Sequence, residues 1–264
     1  MHSLSPAVEA LLIDVANTVV MPRYQLLEAH QIAEKTPGDL VTIADQESEL
    51  RLGEGLAALI PGARMIGEEG CAADPSLLDG LQHGTAWVID PIDGTGNFAA
   101  GRPHFALMIA LVAAGEAQAG WIYDPLRLRM VHAVRGGGAW IDGTRVKARP
   151  SGAALPVAAI SMKFMDAEKR SVMIERTAGH LTLAEPPMCA GEQYPRLALG
   201  DNDISVFERT LPWDHIAGAL FLTESGGKIA RMDGSPYHFW DKRTGLLGAS
   251  SPDLWEAAAR ILAP

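Results

Sequence analysis

The chain has 264 residues, a length that fits two average domains or one large α/β domain. Hydrophobic residues make up 48% and charged residues 20% of the chain, which excludes disorder, collagen and coiled coil as the main structure. The 22 Lys and Arg residues against 32 Asp and Glu residues give a net charge of −10, so we expect no nucleic-acid partner. An anionic substrate would be repelled unless a local positive centre, such as a metal ion, inverted the field.

The first half of the chain begins with helical patterns and continues with strands. Apolar side chains at three- and four-residue spacing predict a helix over residues 7–34, and Pro22 should kink or split it. A second helix is expected over residues 46–59, with Asp45 as its N-cap. The predicted strands cover residues 40–43, 64–66, 87–89, 105–112, 117–123, 130–134, 139–141 and 144–146. The Asp-Gly pair at 142–143 is typical of a hairpin turn.

A change in composition over residues 149–156 to Pro, Gly, Ser and Ala suggests a boundary between two halves. We interpret residues 1–150 as an N-terminal half with most of the candidate site and 151–264 as a C-terminal α/β half. The strands and helices predicted there cover 157–161, 167–178, 181–184, 193–199, 204–207, 214–225, 228–230, 245–249 and 252–262. This mixed order predicts a layered α/β (α+β) architecture.

Neither cysteine nor hydropathy suggests a secreted or membrane protein. Cys71 and Cys189 are too few for a disulfide framework and lack the spacing of a zinc site. The longest apolar run, at residues 105–114, is about half of a membrane span. The first residues lack the basic and apolar regions of a signal peptide. We therefore expect a cytoplasmic protein with reduced thiols and no membrane contact.

Acidic residues follow four of the short apolar segments. They are Asp45, Glu68 with Glu69, Asp90 with Asp93, and Asp214. In layered α/β folds the strand ends deliver side chains to one crevice, so we expect these carboxylates to converge. Converging carboxylates raise one another's pKa. A hard divalent cation such as Mg²⁺, Mn²⁺ or Ca²⁺ relieves that repulsion and prefers oxygen ligands.

Residues 90–95, Asp-Pro-Ile-Asp-Gly-Thr, are the most informative segment. Its two carboxylates can ligate neighbouring ions, and the carbonyl of Ile92 between them is a third oxygen. Pro91 stiffens the turn, and Gly94 allows close backbone approach. The amides of Gly94 and Thr95 can point at a phosphate if a helical turn begins there. An ordinary acidic turn is the alternative for this segment taken alone, and the other acidic clusters argue against it.

The sequence resembles the inositol monophosphatase family of Mg²⁺-dependent, lithium-sensitive phosphatases. The matching segments follow the family's order and spacing across nearly the whole chain, and they are Asp45, residues 67–69, 87–98, 213–218 and 224–227. The resemblance implies a five-layered α-β-α-β-α sandwich of the sugar phosphatase type. It also implies a homodimer, inhibition by lithium, and a phosphomonoesterase that uses two or three Mg²⁺ ions, with Mn²⁺ as a substitute.

The resemblance further implies a role for each matching residue. The implied ligands of the first Mg²⁺ are Glu68, Asp90 and the Ile92 carbonyl, and those of the second are Asp90, Asp93 and Asp214. Glu68 would also bind a third, more weakly held ion. The implied catalytic group is Asp45 and Thr95, which would orient and deprotonate the attacking water, together with Glu69. The expected substrate-binding residues are Asp93, Gly94, Thr95, Gly191, Glu208 and Asp214.

The substrate pocket departs from the family pattern. Glu192 and Gln193 are bulky and polar beside Gly191, and Glu208 is only near the place where inositol-specific members have a hydroxyl-binding Glu. Arg209 is a further candidate for the pocket. Inositol monophosphate is the first choice, and histidinol phosphate, fructose 1,6-bisphosphate and 3′-phosphoadenosine 5′-phosphate are alternatives. A regulatory or binding protein that retains the fold is the alternative class, and the intact ligand set argues against it.

Two further side chains have open interpretations. Lys35 could approach the phosphate or the weak metal site, or it could lie in solvent at a helix end. His215, beside Asp214, is the only histidine close to the proposed site, and we favour a helix-surface or packing role for it.

Overall fold

The computed structural model describes residues 2–262 of the chain. The helices in this range are α1 (Ser5–Val15), α2 (Ile43–Leu59), α3 (Glu68–Ala73), α4 (Thr95–Ala99), α5 (Ala167–Thr177), α6 (Ala190–Leu199), α7 (Pro212–Glu224) and α8 (Pro252–Leu262). The strands are β1 (Ile32–Thr36), β2 (Asp39–Thr42), β3 (Arg64–Gly67), β4 (Thr85–Asp93), β5 (Ala106–Ala113), β6 (Glu116–Asp124), β7 (Arg129–Val134), β8 (Gly138–Ile141), β9 (Thr144–Val146), β10 (Val157–Ser161), β11 (Thr182–Ala184), β12 (Ile204–Phe207), β13 (Lys228–Ala230) and β14 (Leu246–Ala249).

The helices and sheets alternate in five layers. Strands β3 to β9 form a seven-stranded sheet in sequence order, and a five-stranded sheet has the order β11-β10-β12-β14-β13. Helices α1 and α2 pack on one face of the large sheet, and α6 and α7 lie between the two sheets. Helices α5 and α8 cover the outer face of the smaller sheet. The predicted α-β-α-β-α sandwich is confirmed.

Burial on both faces explains why the central strands of the large sheet are apolar along their length. Along β4, Trp87 and Ile89 pack into the core formed with α1 and α2, whereas Val88 packs into the core shared with α7. Helix α7 is buried nearly all round because it fills the middle layer. The close approach of α7 to the sheet requires Gly120 of β6, where a Cβ would lie 2.7 Å from the Cα of Ala217.

The helical structure near the N-terminus ends earlier than the sequence predicts. Helix α1 continues through a π-helical segment, Ala16–Val20, and a 3₁₀ turn, Met21–Arg23. The chain is extended at Tyr24, and Gln25 has a φ of 63°. The prediction of a helix to residue 34 is therefore wrong beyond Arg23. Pro22 removes an amide donor at the point where the apolar spacing also stops.

Two predicted helix starts are wrong by a few residues, and both corrections affect the site. Helix α2 begins at Ile43, and its N-cap is Thr42, whereas Asp45 lies at the third helical position and accepts the Thr42 amide in a capping box. Helix α6 begins at Ala190 rather than at residue 193. The start at Ala190 places Gly191 in the first helical turn, where its amide donates to Asp93 of strand β4.

No helix in residues 2–262 combines the length and the hydropathy that are needed to cross a lipid bilayer.

Two helical glycines test the packing of the middle layer. A Cβ on Gly218 of α7 would collide with the buried ring of Tyr194, whereas a Cβ on Gly53 of α2 would meet no atom within 4 Å. We expect Gly218→Ala to lower the free energy of unfolding by about 1–3 kcal/mol, because the added methyl group would overpack the core. The control Gly53→Ala should raise it by up to about 1 kcal/mol, since alanine favours helix. Urea denaturation measures both changes, and equal effects would contradict the packing described.

Candidate metal centre and catalytic site

Four of the six acidic residues singled out in the sequence line one cleft of about 480 Å³. Glu68 follows β3, and Asp90 and Asp93 lie at the end of β4. Because β3 and β4 run parallel, their ends lie side by side. Asp214 lies in the first turn of α7, which brings it to the same cleft from the middle layer. The fold therefore joins four carboxylates from three separate parts of the chain.

Three of these carboxylates form a tight cluster. Glu68, Asp90 and Asp214 each offer an oxygen that lies within 4.8 Å of the others. The Oδ1 atom of Asp90 is buried and has no hydrogen-bond partner in residues 2–262. Buried oxygens of this kind are normally satisfied, so the orphaned atom needs an explanation. The all-oxygen donor set and the unpartnered oxygen fit a hard divalent cation such as Mg²⁺, Mn²⁺ or Ca²⁺.

The raised pKa values of the clustered carboxyl groups also favour a bound divalent cation. Burial raises the pKa of Asp90 well above its ordinary value, and the nearby Glu68 and Asp93 raise it further. Burial also raises the pKa of Asp214, although the positive charge of Arg209 opposes this. A carboxylate pair can share a proton, but a divalent cation neutralises several carboxylates at once.

Lys35 contributes a positive charge to the glutamate pair. It lies on β1, and its Nζ donates hydrogen bonds to Oε1 of Glu68 at 2.5 Å and to Oε1 of Glu69 at 3.0 Å. Burial raises the pKa of Glu69 to about 7, the charge of Glu68 adds to this, and the bond from Lys35 opposes it. Of the two interpretations of Lys35, the structure supports the one that places it at the acidic site.

Asp93 lies beside the cluster and is fixed by the start of helix α6. Its Oδ2 accepts the Gly191 amide at 2.6 Å and the Cys189 thiol at 3.0 Å. Burial raises the pKa of Asp93, and these hydrogen bonds oppose the rise. A Cβ on Gly191 would lie 2.8 Å from the Cβ of Ala106, so a larger residue would not fit there. Gly191 does not line the cleft, and its amide supports Asp93 instead of being open to a substrate.

Asp45, Thr95 and Ile92 form a hydrogen-bonded group next to the cluster. The hydroxyl of Thr95 lies 3.1 Å from Oδ1 of Asp45 and 2.9 Å from the carbonyl oxygen of Ile92. The other oxygen of Asp45 accepts from the amide and the hydroxyl of Thr42. Burial raises the pKa of Asp45 to about 7, although the bonds from Thr42 oppose the rise. Asp45 can therefore exchange a proton near neutral pH.

Glu49, which the sequence motifs did not indicate, supports the glutamate pair through the backbone of α3. Its carboxylate accepts the amide of Glu69 at 2.7 Å and the amide of Gly70 at 2.7 Å, so it caps the start of α3. Glu49 and Asp45 lie on the same face of α2, one helical turn apart. That four-residue spacing was the signal that could have identified Glu49.

The remaining predicted substrate residues differ in their surroundings. Gly94 precedes α4 with a φ of 86°, and a Cβ there would lie 2.7 Å from the carbonyl oxygen of His104. Glycine is therefore required at this turn. Glu208 lines the cleft, but the Nζ of Lys169 donates to both of its oxygens, at 2.7 and 2.6 Å. No pattern in the sequence indicated this partner.

His215 packs inside the protein as expected. Burial lowers its pKa to about 4, so its ring is neutral at physiological pH. Its Nδ1 lies 2.9 Å from the hydroxyl of Tyr194, and its Nε2 lies 2.9 Å from the carbonyl oxygen of Arg209. Because a carbonyl only accepts, Nε2 is the donor, and Nδ1 accepts from the tyrosine. The ring of His215 thus fixes the backbone of Arg209 in the loop between β12 and α7.

Comparison with known proteins decides the family. The profile of the inositol monophosphatase family matches residues 3–263. The chain belongs to the inositol monophosphatase family. The inositol-1-monophosphatase of Bacillus subtilis is 30% identical over 222 residues, which cover 81% of each protein. The Nus factor SuhB of Vibrio cholerae is 31% identical over 231 residues, which cover 85% of this chain and 83% of that protein.

The fold of the family is confirmed by solved structures. The IMPase of Thermotoga maritima superposes with a TM-score of 0.81 at 23% identity, covering 99% of this chain and 98% of that one. Inositol monophosphatases are metal-dependent phosphatases, and the acidic cluster of Glu68, Asp90 and Asp214 is where this chain can bind a metal ion.

Stability without metal should fall as the pH rises. A carboxyl group whose pKa is raised by folding contributes stability that is fully present below its unfolded pKa of about 4, where it is protonated in both states. That contribution is lost as the pH rises through the folded pKa, which for Asp45 is about 7. We expect the melting temperature in EDTA to fall between about pH 4 and about pH 7. Mg²⁺ at about 100 times its Kd should restore about 2.7 kcal/mol at the higher pH.

Asp90→Asn is the matched variant for this measurement, because it removes one buried charge without changing the shape of the side chain. In EDTA at about pH 8 it should melt above the wild type, and it should lose most of the stabilisation by Mg²⁺. Differential scanning fluorimetry measures both. A variant that Mg²⁺ stabilises as strongly as the wild type would argue against Asp90 as a ligand.

Proposed function

We propose that this chain is a Mg²⁺-dependent phosphomonoesterase that hydrolyses a small polyol or sugar phosphate with water as the nucleophile. The observation that carries the proposal is the cluster of Glu68, Asp90 and Asp214, with oxygens within 4.8 Å of one another. The hydrogen-bonded pair of Asp45 and Thr95 beside it supplies a proton acceptor. Inositol monophosphate is the first substrate to test, because the Bacillus subtilis relative is named an inositol-1-monophosphatase.

The proposed Mg²⁺ ligands are Glu68, Asp90, Asp93, Asp214 and the carbonyl of Ile92. Ions bound there would lower the pKa of a water molecule and stabilise the charge that develops on the leaving oxygen. The N-terminal turn of α6 holds one oxygen of Asp93 with the amide of Gly191, which leaves the other oxygen for the cluster. The chain thus fixes the ligands before the reaction, and this is where positioning and electrostatics contribute most in phosphoryl transfer.

Proton removal from water is assigned to Thr95 and Asp45. As water attacks the phosphorus, the Thr95 oxygen accepts one proton from it and passes its own hydroxyl proton to Oδ1 of Asp45. The bonds that Asp45 accepts from Thr42 keep its carboxylate in place. A pKa of about 7 makes Asp45 an effective base near neutral pH. The first amides of α4 have no acceptor within the helix and can donate to phosphoryl oxygens.

Asp93→Asn tests the ligand assignment. We expect turnover of inositol 1-phosphate at saturating Mg²⁺ to fall at least about a hundredfold, because a ligand of the ion at the leaving oxygen loses its charge. Phosphate release measures the rate, and Asp79→Asn, at an exposed site, is the matched control. Near-normal turnover of Asp93→Asn would refute the assignment.

Thr95→Ala and Thr95→Ser test the proton path. Removing the hydroxyl should lower kcat by about 10²- to 10⁴-fold, whereas serine keeps the hydroxyl and should retain most of the rate. Stopped assays of phosphate release across the pH range show how kcat/KM falls toward acid pH as the base is protonated. Asp45→Asn removes that base and should flatten this fall. Equal losses in the alanine and serine variants would mean that the methyl group, and not the hydroxyl, matters.

A regulatory or binding role is the second candidate, since the Vibrio cholerae relative is named a Nus factor. A panel that adds histidinol phosphate, fructose 1,6-bisphosphate and 3′-phosphoadenosine 5′-phosphate, with and without Mg²⁺, separates the two classes. No hydrolysis across the panel, together with a stable partner in pull-downs, would favour the binding role. Homodimerisation and inhibition by lithium are further proposals from the family, and titration of Li⁺ at fixed Mg²⁺ checks the latter.

A further inference from the structure

Three cationic side chains line the same cleft, and the proposed hydrolysis uses none of them. Arg102 lies between α4 and β5, Lys163 between β10 and α5, and Arg209 between β12 and α7. Arg102 and Lys163 are exposed, whereas the carboxylates of the metal cluster are buried or nearly so. The fold therefore collects positive charge from three separate connections of a chain whose net charge is −10.

Arg209 has hydrogen-bonding capacity that the protein does not use. Its Nη1 donates to Asp39 at 3.1 Å, but its Nη2 lies 3.9 Å from Asp214, beyond hydrogen-bond distance. Its Nε is buried and has no partner in the described part of the chain. A guanidinium carries five N–H donors, so most of those on Arg209 remain available. Donors that are buried and unsatisfied are costly unless a ligand accepts from them.

The guanidinium of Arg209 is held in a fixed orientation. Its Cζ lies 4.4 Å from the ring centre of Phe164, which restricts the plane of the group. The ring of His215 holds the backbone carbonyl of Arg209 from the buried side. A donor that is oriented before binding loses less entropy when a ligand arrives.

Two of the three cations, Lys163 and Arg102, have no carboxylate partner within residues 2–262. Arg209 is flanked by Asp39 at 3.1 Å and by Asp214 at 3.9 Å, and Glu208 is neutralised by Lys169. Lys163 donates one hydrogen bond, to the carbonyl of Gly38 at 2.8 Å, which leaves its charge unpaired. Arg102 makes no side-chain hydrogen bond or ion pair within residues 2–262.

We propose that Arg209, Lys163 and Arg102 form a second anion subsite, so that the enzyme prefers phosphate esters that carry a further anionic group. That group is a carboxylate or a second phosphate, since both match the planar fork of arginine. The inference rests on the proposed function, because the phosphate that is hydrolysed lies at the acidic cluster. It makes Arg209 a specificity-determining residue, and it places neutral polyol phosphates below charged ones in preference.

Matched pairs of substrates test the subsite. Glucitol 6-phosphate and 6-phosphogluconate differ only in a terminal hydroxyl or carboxylate, and fructose 6-phosphate and fructose 1,6-bisphosphate differ in a second phosphate. We expect kcat/KM to be at least about tenfold higher for the charged member of one or both pairs. The pair that responds identifies the group as carboxylate or phosphate.

Substitutions assign the preference to the cations. Arg209→Gln should lower the ratio of kcat/KM between charged and neutral members by about 10- to 100-fold, with a smaller drop for Lys163→Gln. Arg209→Lys keeps the charge without the fork and should recover part of the ratio. Lys163 is exposed, so its variant should fold even if the Arg209 variants melt at a lower temperature.

Binding gives a second readout that does not depend on turnover. Isothermal titration of Mg²⁺-loaded Thr95→Ala protein with each member of a pair should show the same preference, and adding Arg209→Gln should remove it. Equal kcat/KM and equal Kd within both pairs, or a preference that survives Arg209→Gln and Lys163→Gln, would overturn the subsite. Absence of hydrolysis for every ester would overturn the proposed function instead, and the titration would still decide whether the second anion is bound.

Discussion

The structure depends on the burial of several carboxylates next to one another. Burial alone raises the pKa of Asp90, and each neighbouring acid adds to the cost of its charge. The protein provides compensation around the cluster, with Lys35 against Glu68 and the Gly191 amide against Asp93. The Oδ1 of Asp90 receives no such partner within residues 2–262. This uneven compensation is what makes the cluster suited to a divalent cation rather than to a network of protein hydrogen bonds.

The five-layered arrangement is what brings the carboxylates together. The parallel pair of β3 and β4 sets two acidic strand ends side by side, and α7 reaches them from the middle layer. Helix α2 supports the site twice from one face, because Asp45 bonds Thr95 and Glu49 caps the start of α3. The same helix also packs into the core of the large sheet through Leu52 and Leu56. Stability and site geometry therefore share one element.

The cleft is lined by charges of both signs, and this arrangement has consequences for specificity. The buried acidic cluster attracts cations and, through them, a phosphoryl group. Arg209, Lys163 and Arg102 line the same cleft, and most of their donors are not used by the protein. A substrate with a second anionic group would place that group against these cations while its phosphoryl group lies at the acidic cluster, and poses that leave the second charge unpaired would be disfavoured.

The sequence by itself determined the layered fold, nearly all the strands and the acidic residues that line the cleft, because residue spacing and the motif at 90–95 are local properties. It did not determine that α6 begins at Ala190, since the amide of Gly191 takes a partner far along the chain. The bond from Gly191 to Asp93 spans 98 residues. Only the tertiary structure decided that Lys35 pairs with the glutamates and that Arg209 keeps unused donors. Charge pairing and desolvation depend on distances between residues that packing alone brings together.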